Sequence, residues 1–377
     1  MDFPKKLQYK LNLRKESDSF RKLYNQENLV DFSSNDYLGF ASNKNISKKV
    51  KERLDSTKYL NGSTGSRLLS GNLEIHEEVE NYLSNFFNCP SSLLFNSGYA
   101  ANIGLLSSVP ERGDIILFDE LCHASIRDGI RLSNAKSYSF RHNSLADLEK
   151  RYNTTATKDS TVYIVVESIY SMDGDMAPLI EISDFCDNMK CFLMVDEAHS
   201  TGVFGEKGKG LIDELGIQEK VFARIVTFGK ALGCHGAVIL GSNDLRNYLI
   251  NFSRSFIYTT SMPVHNTLTI LYAFQELEVT KEISKLKKNI DKFKEEIERN
   301  KLNDKFITSN SSIQGCIIGN PSKVKAIASN FKNNNFDVKA ILSPTVPKGT
   351  ERLRFCIHSY NSFSQIEAVL KLIPKFA

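Results

Sequence analysis

Lys230 closes the run Ala223-Arg-Ile-Val-Thr-Phe-Gly-Lys230, and Asp196 lies 34 residues upstream in Met194-Val-Asp196-Glu-Ala-His199. An amine, a carboxylate and an imidazole thus stand at the ends of two apolar runs. A lone lysine of this kind is usually a solvated surface group. The Asp-x-x-His segment alters that reading. An amine condenses with an aldehyde, and an anion keeps a pyridine nitrogen protonated. Together with a polar partner for a ring hydroxyl, these are what pyridoxal phosphate (PLP) chemistry requires of a protein.

Other polar residues follow apolar runs in the same way. Asn96-Ser-Gly98-Tyr99 turns into an Ala-rich helical pattern, and a helix start offers free N–H groups to a phosphate. His123 and Ser125 follow 114–118, while Glu167, Ser168 and the string Ser171-Met-Asp-Gly-Asp175 follow 162–166. Each alone reads as a satisfied polar group at a strand end. Five on one edge point to a phosphorylated, ring-bearing cofactor, because ligands of open α/β sheets bind beyond the strands' carboxyl ends.

The elements that must position these groups are short apolar runs separated by helical patterns. Strands are predicted at 92–95, 114–118, 162–166, 192–195, 224–227 and 237–240. Such alternation predicts βαβ units, an α/β class and a mostly parallel sheet. The Lys-rich stretch 276–305 reads as one long connecting helix, and 314–318 and 352–357 as strands of a smaller C-terminal α+β unit. Residues 3–28 read as an amphipathic helix, 31–39 as a turn-rich connector, and 61–71, with three glycines, as a linker in which Arg67 is out of place. The expected division is 1–45 for the N-terminal helix and connector, 46–270 for the large domain, and 271–377 for the connecting helix and small domain.

Bulk properties exclude several classes. The 377 residues carry a formal net charge of +4 with dispersed basic residues, giving nucleic-acid binding little support. Seven cysteines lack zinc-site spacing and read as reduced thiols of a cytoplasmic protein. No apolar stretch suits a membrane span, and the Met1-Asp-Phe-Pro-Lys-Lys start lacks a signal-peptide pattern. No metal site is expected.

From Arg21 to about residue 360 the motifs resemble the α-oxoamine synthases, PLP enzymes of the aspartate-aminotransferase-like fold type I. The strings that carry the likeness are Asn35-Asp-Tyr-Leu-Gly39, Ser97-Gly-Tyr-Ala-Ala-Asn102, His123-Ala-Ser125, Ser171-Met-Asp-Gly-Asp175, Val195-Asp-Glu-Ala-His199, Thr227-Phe-Gly-Lys230, Ile257-Tyr-Thr-Thr-Ser-Met-Pro263 and Pro344-Thr-Val-Pro347. The resemblance implies that Lys230 holds PLP, Asp196 the pyridine nitrogen and His199 the ring hydroxyl, with His123 stacked on the ring. Gly98, Tyr99, Glu167, Ser171 and Thr227 are implied around the cofactor. It places Thr260 at the phosphate of a neighbouring subunit's cofactor, and hence implies a homodimer. Arg21, Asn35, Thr345 and Arg354 fall where the family contacts substrate, an amino acid and an acyl-CoA or acyl-carrier protein.

The 257–263 string leans toward the biotin-biosynthesis branch, which condenses L-alanine with a pimeloyl thioester. Two departures stand out. Leu342 replaces an arginine common in that branch, and His235 stands where small residues are usual; His235 is expected to pack locally. A 2-amino-3-ketobutyrate coenzyme A ligase or a serine palmitoyltransferase-like enzyme remains open. So do an aminotransferase and a non-catalytic protein on the same fold.

Overall fold

Strand direction decides where the polar residues meet. A computed structural model describes residues 3–17, 19–23, 28–58 and 61–373. A two-residue strand, β1 (Val30–Asp31), precedes the central sheet. That sheet contains β2 (Ser91–Phe95), β3 (Ile115–Asp119), β4 (Lys136–Phe140), β5 (Val162–Glu167), β6 (Phe192–Asp196), β7 (Ala223–Thr227) and β8 (Ala237–Gly241), in the order β2-β8-β7-β6-β5-β3-β4. The pairs from β7 across to β4 are parallel, whereas β8 is antiparallel to both β7 and β2. Six strands therefore end at one edge of the sheet, and β8 begins there. The sheet is mostly parallel, as expected, but β8 is no βαβ partner. Only residues 228–236 separate it from β7, too few for a parallel crossover.

Helices cover both faces, so the central strands are apolar on both sides; β5 is buried along its whole length. The edge strand β4 was not foreseen. Its Lys136-Ser-Tyr-Ser-Phe140 sequence is largely exposed and polar, as edge strands that avoid further pairing are.

The C-terminal unit holds β9 (Ile313–Ile317), β10 (Phe336–Asp337), β11 (Lys339–Ile341) and β12 (Arg352–Cys356). The order β11-β12-β9 makes an antiparallel sheet, while β10 pairs with β1. That pairing, with fully buried Phe32 and Tyr37, draws the 31–39 connector into the core.

Two helix expectations need correction. The Lys-rich stretch is not one helix: Val264–Leu277 ends before Glu282–Arg299 begins, and the Thr280 hydroxyl accepts the Glu282 N–H at 3.2 Å as a local start signal. At the N-terminus the helix spans only Lys5–Glu16 and buries no residue. Leu7, Tyr9, Leu11 and Leu13 are all exposed, because alternate positions scatter around a helix and form no stripe. Residues 18 and 24–27 of the expected 3–28 helix lie outside the described residues.

Across the sheet edge, His142 clamps two carboxylates. Its Nδ1 lies 3.0 Å from Asp119 at the end of β3, and its Nε2 lies 2.7 Å from Asp175. Burial alone would lower its pKa, but the hydrogen bonds to Asp119 and Asp175 outweigh burial and raise it to about 10 from 6.5. The clamp's contribution is thus whole below pH 6.5 and is lost as pH rises through about 10. His142→Gln should cost about 2 kcal/mol at pH 6, and the cost should shrink markedly toward pH 10. Urea unfolding of both proteins across that range checks this; a pH-independent loss would contradict a charged clamp.

Candidate active site

The carboxyl ends of the strands surround a cavity of about 210 Å³. β5 ends on Glu167, β6 on Asp196 and β7 on Thr227, and Lys230 sits in the hairpin that joins β7 to β8. All four line the cavity, together with His123 and His199. The turn is fixed locally: Lys230 C=O accepts the Gly233 N–H at 2.9 Å, and Phe228 C=O accepts that of Cys234 at 2.8 Å.

Asp196 is buried and anchored from two sides. Asn102 Nδ2 donates to its Oδ2 at 2.8 Å, and the Ala198 N–H donates to Oδ1 at 2.9 Å. Asn102 lies one helical turn beyond Gly98 on helix Gly98–Ser108, so a single helix supplies both the glycine start and the anchor. Gly98 leaves no room for a side chain, since a Cβ there would collide with Thr227 Cγ2. The Ser97 hydroxyl caps this helix by accepting the Ala100 N–H at 3.1 Å.

The electrostatics follow from burial. Burial, then the Arg354 charge, pushes the Lys230 pKa down, against the pull of Asp196. Among the described residues its amine has no hydrogen bond or ion pair. Burial, then the Asp196 charge, raises Glu167 well above the usual carboxyl range, although the His123 N–H donates to it at 2.5 Å. Burial thus disfavours the charged form of the cavity's second carboxyl group. His123 is open to the cleft but flanked by protein, which lowers its pKa. Burial, followed by the charges of Lys230 and Arg354, holds His199 well below the ordinary histidine range.

A second network braces His199. Its Nδ1 lies 2.7 Å from the Tyr37 hydroxyl, which lies 3.1 Å from Asn35 Oδ1. Arg354 on β12 donates from Nη2 to the same Oδ1 at 3.0 Å and from Nε to the Ser171 carbonyl at 2.7 Å. The one phenol proton goes either to Asn35, with His199 donating from Nδ1, or to His199 Nδ1 itself, so the phenol and the His199 tautomer are linked.

Among the residues singled out by sequence, Gly98, Tyr99, His123, Glu167, Asp196, His199, Thr227 and Lys230 therefore line one cavity. Asn35 and Arg354 stand behind His199. Ser171 is outside the cavity lining and meets Arg354 through its carbonyl. Thr260 is exposed, its carbonyl accepting from Asn96 Nδ2 at 2.8 Å. Arg21 and Thr345 line a different cavity of about 400 Å³. The sequence reading does not single out Asn102 or Tyr37, although both lie inside quoted strings. It also sets aside His235, which lines the main cavity.

Comparison with known proteins bears on this arrangement. The family described as aminotransferase class I and II matches residues 27–373. An 8-amino-7-oxononanoate synthase of Emericella nidulans is 39% identical over 91% of this chain and 88% of its own length. The chain belongs to the α-oxoamine synthases of the class I and II aminotransferase family. A solved serine palmitoyltransferase from S. paucimobilis, holding a PLP–myriocin aldimine, superposes with a TM-score of 0.89 at 26% identity over 98% of this chain and 96% of that one. The 8-amino-7-oxononanoate synthase of Francisella tularensis gives 0.78 at 29% identity over 93% and 98%.

The fold is type I and the cofactor is PLP. The residues present fit that group: an anchored carboxylate, two imidazoles, a helix start at Gly98 and, with no partner among the described residues, the Lys230 amine and a buried Thr227 hydroxyl. No helix among the described residues is long and apolar enough to cross a membrane.

Tyr37 is fully buried, and its hydroxyl joins Asn35 to His199. Tyr37→Phe preserves the ring's packing but leaves buried His199 Nδ1 without its partner, while Asn35 keeps Arg354, so it should cost about 1–3 kcal/mol of stability. Urea unfolding of the cofactor-free protein measures the loss, and a cost below about 0.5 kcal/mol would mean the network bears little weight.

Proposed function

We propose that the chain condenses L-alanine with a pimeloyl thioester, on coenzyme A or a carrier protein, to give 8-amino-7-oxononanoate, CO2 and free thiol. When bound, PLP supplies an electron sink that makes the amino acid's Cα–H acidic. Lys230 Nζ would hold the cofactor and, once freed from it, would take the Cα proton; its burial favours the neutral amine this needs. Asp196 would keep a pyridine nitrogen protonated, and His199 and His123 would orient the ring. Arg354 is suited to the amino acid's carboxylate through two-point pairing. A bond then forms between Cα and the thioester carbonyl carbon as the C–S bond breaks, and the sulfur leaves as thiolate, which takes a proton from water. The Cα–carboxylate bond breaks last, releasing CO2, and Lys230 would return to Cα the proton it took.

The observation that carries the acyl assignment is the second cavity. Arg14, Arg21 and Lys325 line it with Leu342 and Thr345, and among the described residues the lining holds no acidic side chain. Its Ala340 and Ile341 belong to β11, hydrogen-bonded to the strand that bears Arg354. A chain ending in a carboxylate suits such a cationic recess, which supplies the charge that Leu342 lacks. The relatives named 8-amino-7-oxononanoate synthase support the same reading. The serine palmitoyltransferase superposition favours a long uncharged acyl chain instead, but backbone likeness reports fold more than substrate.

The reading includes a homodimer in which Thr260 reaches the partner's cofactor phosphate. Exposed Leu68, Leu69 and Tyr258 support a covered face near it. It also places the protein in the cytoplasm, in keeping with seven cysteines outside any disulfide.

Thiol release from pimeloyl-, acetyl- and palmitoyl-CoA, each crossed with alanine, glycine and serine, tests the assignment. Pimeloyl-CoA with alanine should lead. Arg21→Ala should lower the preference for pimeloyl over an uncharged chain about ten- to hundred-fold, from the loss of one charged hydrogen bond. Leu342→Arg should change little. A wild-type preference for palmitoyl-CoA with serine, or acetyl-CoA with glycine, would overturn the substrate and leave the cofactor chemistry standing.

A further inference from the structure

His235 lines the main cavity, and the chemistry above gives it no task. Its place follows from the sheet. Ala237, the first residue of β8, is paired with Phe95 of β2 on one side and Thr227 of β7 on the other. The residues just before β8 therefore emerge between the ends of those two strands. From Phe95 the chain runs through Asn96 and Ser97 into the helix that starts at Gly98, and β7 ends on Thr227, whose buried Oγ1 has no partner among the described residues. Gly236, at φ +116°, takes a conformation that side chains disfavour, and its carbonyl accepts the Phe228 N–H at 3.0 Å, so the direction of the backbone at His235 is fixed. The imidazole is exposed to the cleft and has no hydrogen bond or ion pair among the described residues.

We propose that His235 is a ligand of the cofactor's phosphate, completing a cradle with the Ser97–Gly98 helix start and the Thr227 hydroxyl. The proposal rests on PLP occupying this cleft. A phosphate at a helix start meets unpaired N–H groups and the positive end of the dipole. Those groups neutralise only part of a dianion, and a donor such as imidazole adds a charge-assisted hydrogen bond. The other basic groups nearby are already engaged. Lys230 serves the aldehyde, and Arg67, which lines the neighbouring pocket with Asn96 and Thr259, is paired with Glu80 at 2.8 Å.

The test compares PLP with pyridoxal, which lacks the phosphate. Absorbance titration of the cofactor-free protein gives dissociation constants for both on the wild type, His235→Ala and His235→Gln. His235→Ala should weaken PLP about tenfold or more and leave pyridoxal unchanged, while His235→Gln, which keeps a donor, should recover part of the loss. Thermal unfolding of the cofactor-free variants should match the wild type, as befits an exposed side chain. An equal loss for PLP and pyridoxal would overturn the proposal in favour of a structural or ring contact. So would unchanged PLP binding with a raised KM for the acyl-CoA, whose own phosphates are the other anions within reach of such a cleft. Failure of the wild type to bind PLP at all would instead sink the reading of the cleft on which the proposal rests.

Discussion

The amine of Lys230 is taken out of bulk water without a counter-ion in contact among the described residues. Desolvation disfavours its charged form, and the Arg354 charge adds to that, while the Asp196 charge opposes. Such a lysine is costly to keep as a bare cation and cheap to keep as a neutral nucleophile. The rest of the fold serves to hold it there. A hairpin between antiparallel β7 and β8 interrupts an otherwise parallel sheet and lifts the lysine over the ends of β5 and β6. Asp196 at the end of β6 is then anchored by Asn102, from the helix whose start is open to a phosphate. Amine, carboxylate and anion site come from separate elements, and strand direction brings them together.

Much of this was legible in the residues. Apolar runs located six of the seven central strands, because buried parallel strands are apolar on both faces and stand out from the helices between them. The seventh, β4, carries the polar, exposed sequence of an edge and so lacks that signal. The reversed direction of β8 could have been inferred from the short 228–236 link, since chain length limits topology even where periodicity is silent. The break between Leu277 and Glu282 falls at the β-branched pair Val279-Thr280, where the Thr280 hydroxyl accepts the Glu282 N–H, a short signal between two long helical patterns.

At the site, residue types with plain chemistry were found and their supports were not. Lys230, Asp196 and His199 announce themselves by type and position. Tyr37 and Asn102 act through hydrogen bonds made across 162 and 94 residues of chain, and no local pattern encodes such contacts. Arg21 and Thr345, both marked as substrate contacts, share a recess apart from the cofactor cleft. The split suits a two-substrate reaction in which the reacting carbon and the far end of the acyl chain are read separately. On the proposed reading, Leu342 can replace an arginine because the charge of that recess comes from other segments, Arg14 and Arg21 among them.

The account turns on the negative charge at Asp196, and exchange of the alanine Cα proton with solvent deuterium, followed by NMR, tests that charge most directly. Asp196→Asn preserves size and can still accept from the Ala198 N–H. Asn102 can turn its unpartnered Oδ1 toward the new amide, so the fold should tolerate the change. What is lost is the anion that holds the ring-nitrogen proton. The account predicts that the variant still binds PLP while exchange slows by about a hundredfold or more, equivalent to roughly 3 kcal/mol of transition-state stabilisation. Exchange at a near-wild-type rate would contradict it.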